Sequence, residues 1–476
     1  MPTDPRGLRE DAPLLDAWLR FQEEAPTPFT IPGHKQRRDL VGDVVAGDVP
    51  FYAGLDTMKV TRGVLADAEA RAARLWGADL ARFSVGGSTH GNQALALAVG
   101  RPGDQVVVAR TLHRSMLLGL ALAGLHPVWV LPDLDDTTGM PVGVSPRTLA
   151  DALAQAPGAR AVFVGNPSYV GTLGDVAGLA EVAHAHGPRG IPLVVDQAWG
   201  AHFGFHPSLP PHALAAGADA LVTSAHKTLP AWSQGALLLA HGERIDPARF
   251  AAAAEATATT SPAGAILASI DASRALLERD GEHLLAGVIA LVAEARTRLA
   301  RVEGLGVLDG TMVDPTRLVL LLAGTGADGN AVEDDLLTAG LPVELADRDT
   351  IVAMVTIADT AATVGAFVDA VERSIRSRRA TPRATVTSGV WSLETRQQMT
   401  PREAFFAEQV AVPIEEAVGA IGAELIAPYP PGIPVLAPGE EVTVEVLDVL
   451  RAARSAGSRI AYAADPDLQT VRVVRG

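Results

Sequence analysis

The chain has no cysteine. That excludes disulfides, thiolate metal sites and a cysteine nucleophile, and it leaves the redox compartment open. Long apolar runs are missing too: stretches such as Leu318–Ala323 fall far short of the roughly 20 residues a membrane helix needs. Met1–Asp16 is charged and proline-bearing, without the basic start and apolar core of a signal peptide. Positive charge is in deficit. A formal net charge of −16 argues against a nucleic-acid or anionic-membrane partner, whose phosphates need a basic face. A soluble, cytoplasmic protein without a metal site is the expectation. Lysine is scarce as well. Among 39 basic residues only Lys35, Lys59 and Lys227 are lysines. An ε-amine can lose its proton and attack a carbonyl, which a guanidinium cannot do, so each lysine kept invites a chemical reason.

At 476 residues, 48 % of them hydrophobic, the chain is globular and too long for one ordinary core. Apolar segments alternate with helical patterns. Strands are expected at Gln105–Ala109, Pro127–Leu131, Ala161–Val164, Pro192–Asp196, Ala218–Val222 and Gly235–Ala240, with helices between the first four. This predicts an α/β fold with a largely parallel sheet covered on both faces. Further on, Leu267–Leu277 and Glu282–Leu299 read as two helices, followed by a second strand–helix region and a basic, proline-bearing linker at Ser377–Thr387. The expected division is residues 1–55 (helical and linker segment), 56–280 (large domain), 281–380 (small α/β domain) and 381–476 (C-terminal domain).

Chemically distinctive residues fall at strand ends, the edge where open α/β sheets bind ligands. Gly86-Gly87-Ser88-Thr89-His90-Gly91-Asn92 opens a helix, and helix N-termini are natural phosphate seats. Ser and Thr there are also ordinary helix caps. His113 follows one strand, and Asp196 ends another directly after valines, where a carboxylate is costly unless a cation meets it. Lys227 follows a third strand. The ordered set suits pyridoxal 5′-phosphate: a seat for the phosphate, an imidazole for the ring face, an acid for the pyridine nitrogen and an amine for the aldehyde. Pro32-Gly33-His34-Lys35 and Pro428–Pro434 read, taken alone, as loops shaped by turn residues.

The strings PGHK (32–35), GGSTHGN (86–92), RTLHRS (110–115), NPSYVG (166–171), VDQAWGAHFGFHPSLP (195–210) and SAHKTLPAWSQGA (224–236), with PREAFFA and PYPPGIPVLAPGE near the C-terminus, resemble the Orn/Lys/Arg decarboxylase family. The resemblance covers most of the chain and is to the shorter form, without an N-terminal wing domain. It implies the aminotransferase-like fold type I of pyridoxal-phosphate enzymes, with smaller α/β and C-terminal domains beside the large one. It implies a homodimer with shared sites and decarboxylation of arginine, lysine or ornithine. Lys227 would carry the cofactor as a Schiff base until the substrate amine displaces it. Gly87, Ser88 and Thr89 would bind the phosphate, with Ser224 and His226 near the phosphate or imine. His113 would stack on the ring, Ala198 would pack on its other face, and Asp196 would pair with its nitrogen. Thr260 or Ser261 would reach the neighbouring subunit's phosphate. Glu344 would read the distal cation of the substrate.

Three positions depart from the family pattern. Gly264 stands where an aromatic is usual, which would reshape the site, and Ala411 and Ala420 stand where arginine is frequent. Transamination or oxidative deamination on the same cofactor, and a non-catalytic homologue, are the rival expectations.

Overall fold

The computed structural model describes residues 3–24, 29–49, 51, 55–56, 63–136, 138–384, 389–429, 432–455 and 457–476. Lys59, Pro430, Pro431 and residues 385–387 of the expected linker lie outside the described residues.

Valine- and alanine-rich segments with continuous rather than alternating burial build the main sheet, as expected where helices cover both faces. Its seven strands run in the order 80–84, 236–240, 220–224, 193–196, 162–165, 105–109, 126–130. The last five in that order are parallel. Ala236–Ala240 differs from the parallel expectation, pairing antiparallel with both Ala220–Ser224 and Leu80–Ser84. A short connection makes this possible, because a parallel crossover needs a dozen or more residues. Two antiparallel pairings restore direction, so Leu80–Ser84 also ends at the edge where Asp196 and Ser224 end.

The two helices expected between Leu267 and Leu299 are one helix, Gly264–Leu299, 36 residues long. Gly281 and its charged neighbours suggest a break, since glycine costs about 1 kcal/mol in a helix interior. Packing overrides it. Leu267, Ile270, Leu277 and Leu285 join the core of the main sheet, while Val288, Val292 and Leu299 join the core of a second sheet. That second sheet is antiparallel, ordered 306–307, 317–321, 350–354, 345–346. The expected linker begins too early. Ser377 and Arg378 end the helix Ala361–Arg378, and Arg378 pairs with Asp335 at 2.6 Å, a cation at a helix C-terminus.

The C-terminal region has its own apolar cluster, including Trp391, Ile426, Val435 and Val446. Two small antiparallel pairs belong to it, 409–413 with 470–474 and 427–429 with 459–461. No helix among the described residues is long and apolar enough to cross a membrane.

Candidate active site

A cavity of about 550 Å³ lies at the carboxyl edge of the main sheet. Gly87, Ser88, Thr89, His113, Asp196, Ala198, Ser224, His226, Lys227 and Glu344 all line it. Thr260 and Ser261 do not. They are exposed at the turn before the helix Gly264–Leu299, away from this chain's cavity.

The helix Gly87–Val99 starts at the cavity, with Gly87 at φ 67° and its N–H donating to the Gln234 carbonyl at 2.8 Å. Glycine adopts that left-handed conformation without a steric cost. The Ser88 and Ser224 hydroxyls share a hydrogen bond of 2.7 Å, joining the helix start to the end of the strand Ala220–Ser224. Lys227 sits in the single helical turn Ala225–Thr228 directly after that strand. Beside it, the His226 ring donates from Nδ1 to the Gly235 carbonyl at 2.9 Å.

Asp196 is buried and makes no ion pair with any described residue. Its Oδ2 accepts from Asn92 Nδ2 at 2.7 Å and its Oδ1 from the Ala198 N–H at 3.1 Å. Asn92 Nδ2 also donates to Ser115 Oγ at 2.8 Å, and Ser115 in turn donates from Oγ to His113 Nδ1 at 2.9 Å. The Ser115 N–H points to the same nitrogen at 3.3 Å, so His113 caps the helix Arg114–Ala123. With Nδ1 accepting, a neutral His113 carries its proton on Nε2. Asn92 and Ser115 thus link acid to imidazole, a role that the strings GGSTHGN and RTLHRS contain but do not disclose.

Burial holds the Lys227 amine below its ordinary pKa, with Asp196 and Glu344 pulling the other way. Burial likewise lowers His113, opposed by Asp196 and reinforced by Lys227. The Lys227 ammonium nitrogen lies 3.6 Å from the centre of the Trp199 ring, and the Arg317 guanidinium carbon lies 5.0 Å from it. Trp199, Tyr169, Gln234, Tyr429 and Tyr462 line the cavity without having been singled out from sequence. Their places in the strings VDQAWGAHFGFHPSLP and NPSYVG were the available signal for the first two.

Glu344 enters from the second sheet's side, just before the strand Leu345–Ala346, with its N–H donating to Val352 at 3.1 Å. It is exposed. The proline-rich stretch read as a loop supplies more than a loop, since Tyr429, Gly432 and Ile433 form cavity wall. Three other positions lie elsewhere. His34 pairs with Asp48, and Lys35 donates to the Thr30 carbonyl, both away from the cavity. Gly264 is buried where an added Cβ would come within 2.6 Å of Leu55 and 2.8 Å of the Val49 carbonyl. Its departure therefore does not enlarge this chain's cavity. Ala411 and Ala420 also stand outside it.

The profile described as "Orn/Lys/Arg decarboxylase, major domain" matches residues 12–316, and that of the C-terminal domain matches 384–461. The chain belongs to the Orn/Lys/Arg decarboxylase family. Within that family it is 31 % identical to an arginine decarboxylase of Halalkalibacterium halodurans and 30 % identical to one of Bacillus subtilis, covering 98 % of each chain in both cases. The lysine decarboxylase LdcF of Francisella novicida superposes with a TM-score of 0.83 at 18 % identity, covering 98 % of this chain and 81 % of that one. At that identity the likeness speaks for the fold, which is the fold type I architecture of pyridoxal-phosphate enzymes.

Proposed function

We propose that the chain decarboxylates a basic amino acid with pyridoxal 5′-phosphate, and that arginine is the first substrate to test, because the relatives at 31 % and 30 % identity bear that name. One observation carries the reading. A half-buried amine of lowered pKa and a buried carboxylate without an ion pair line one cavity together with a second carboxylate.

The donor set fits the cofactor. A buried anion without a cation is costly, and a protonated pyridine nitrogen is the partner Asp196 lacks. The glycine-containing helix start at Gly87-Ser88-Thr89 suits a phosphate. A volume of about 550 Å³ suits a cofactor together with a small substrate. Ser88, Thr89, Ser224 and His226 would hold the phosphate end, His113 and Ala198 the ring faces, Asp196 the nitrogen and Lys227 the aldehyde carbon. When bound, the cofactor supplies an electron sink for the bond to the departing carboxylate.

The chain's own residues do the rest. Burial favours the neutral, nucleophilic form of the Lys227 amine at a lower pH than a free lysine would reach it. Asp196 would hold the proton on the pyridine nitrogen, and Asn92 donates to Asp196 Oδ2 and keeps that carboxylate in place. Glu344 accepts hydrogen bonds from the substrate's cationic end. The Lys227 amine and the His113 Nε2 proton are the two available donors to Cα after carbon dioxide leaves.

The same reading takes the protein as a cytoplasmic homodimer making a di- or polyamine, with exposed Thr260 and Ser261 reaching the other subunit's phosphate. The test is a panel of arginine, lysine and ornithine with purified protein, cofactor and mass analysis of products. Amine and carbon dioxide in equal amounts are expected. A keto acid in place of amine would replace decarboxylation by transamination or oxidative deamination, and no turnover with no visible cofactor absorbance would leave a non-catalytic homologue.

A further inference from the structure

Arg110 and Glu440 form an ion pair that none of the roles above uses. Arg110 directly follows the strand Gln105–Ala109, and the two side chains are 3 % and 0 % exposed. Arg110 Nη1 and Nη2 donate to the two carboxylate oxygens at 2.5 and 2.9 Å. Its other donors go to backbone: Nε to the Pro434 carbonyl at 3.0 Å and Nη2 to the Val435 carbonyl at 3.3 Å. The guanidinium lies over Trp129, 4.8 Å from its ring centre. Glu440 is saturated as well, accepting from Thr395 Oγ1 at 2.6 Å and the Ala437 N–H at 2.7 Å. One side chain from the main sheet thereby grips the stretch 434–440 at three places.

That stretch continues directly from Gly432 and Ile433, which are cavity wall, while Arg110 and Glu440 themselves are not. Tyr429 lines both the main cavity and an adjoining small cleft that contains Glu344. An added Cβ at Gly432 would come within 3.2 Å of the Tyr429 ring, so the gripped segment backs the aromatic that shares this cleft with Glu344. Apolar residues of similar volume commonly stabilise a core as well as a buried ion pair does. What the forked pair adds is a fixed geometry, since both partners accept only one alignment.

We propose that Arg110 and Glu440 are positioning residues that set Gly432–Ile433 as the wall of the Glu344 end of the cavity, and with it the length of cationic side chain the site accepts. The kinetic part rests on the decarboxylase reading; the structural part does not.

The test uses the full-length protein and two variants, Glu440→Gln and the double replacement Arg110→Met with Glu440→Leu, which keeps packing volume without charge. In cofactor-loaded protein, KM for the preferred amino acid should rise about tenfold or more, with kcat changed less than about threefold. The preference between arginine and ornithine should narrow. In cofactor-free protein, amide hydrogen exchange should quicken at 432–437 and stay unchanged in the helix Gly87–Val99. Wild-type KM and selectivity in the double variant would overturn the proposal, and so would unchanged exchange at 432–437 or an increase spread over the whole chain. Should Glu440→Gln fail to fold, the double variant decides. If wild-type protein turns over none of the three amino acids, the decarboxylase reading falls and exchange alone judges the positioning.

Discussion

The two ends of the cavity are built differently. At the lysine end, Ser88, Asp196, Ser224 and Lys227 stand on strand ends and one helix start of a single sheet, and the first three are buried. At the other end, Glu344 comes from the second sheet's edge, and Tyr429, Gly432, Ile433 and Tyr462 come from the C-terminal region. Glu344, Tyr429 and Tyr462 are exposed. Side chains locked by one sheet hold a fixed geometry, whereas a wall assembled from separate regions can be altered without disturbing it. On the proposed reading, chemistry belongs to the first end and selectivity to the second.

The sharpest break in that division is Lys227→Arg. It keeps the charge and removes the nucleophile, so turnover and the visible absorbance of the bound cofactor should both disappear; a variant with full activity would sink the assignment. Asp196→Asn should follow, lowering kcat about 10²–10³-fold, the usual cost of one lost electrostatic contact, with cofactor still bound. Next comes Glu344→Ala, at the other end. Losing a hydrogen bond to a charged group, worth about 1.5–3 kcal/mol, should raise KM roughly ten- to hundredfold with kcat little changed. Unaltered selectivity in a steady-state comparison of cationic and neutral amino acids would remove Glu344 from the site.

The smallest effect is one of pH. Folding holds the Lys227 pKa below its ordinary 10.5. Between the lowered value and 10.5 the unfolded chain binds more protons, so stability rises with pH across that window. In thermal melts of cofactor-free protein, Lys227→Met should flatten this rise, and Glu344→Ala should extend it to lower pH, because Glu344 opposes the lowering of the Lys227 pKa. Equal slopes in all three proteins would show that burial of the amine carries no measurable cost.

The same division separates what could be read from the amino acids alone from what could not. Lys227, Asp196 and His113 are legible because each is a reactive type placed just after an apolar strand, and parallel strands bring such ends to one edge. The α/β class follows from the same alternation. The antiparallel turn-back of Ala236–Ala240 is not legible, since its apolar run is the same whichever way it points. Neither is the unbroken helix through Gly281, because only packing against two cores offsets the glycine. Tyr429 and Ile433 lie in a proline-rich stretch whose local chemistry describes a loop. The Arg110–Glu440 pair joins residues 330 apart, and no local pattern announces such a separation. Gly264 is a different case: a departure from family pattern suggests a changed site, and within this chain its neighbours are Leu55 and Val49 rather than the cavity.

The helix Gly264–Leu299 gives the division a mechanical side. At 1.5 Å per residue its length is about 54 Å, and its halves are anchored in different cores. One continuous rod therefore ties the core under the strand that leads to Lys227 to the core beside the strand that follows Glu344, so a kink introduced near Gly281 would strain both cores at once.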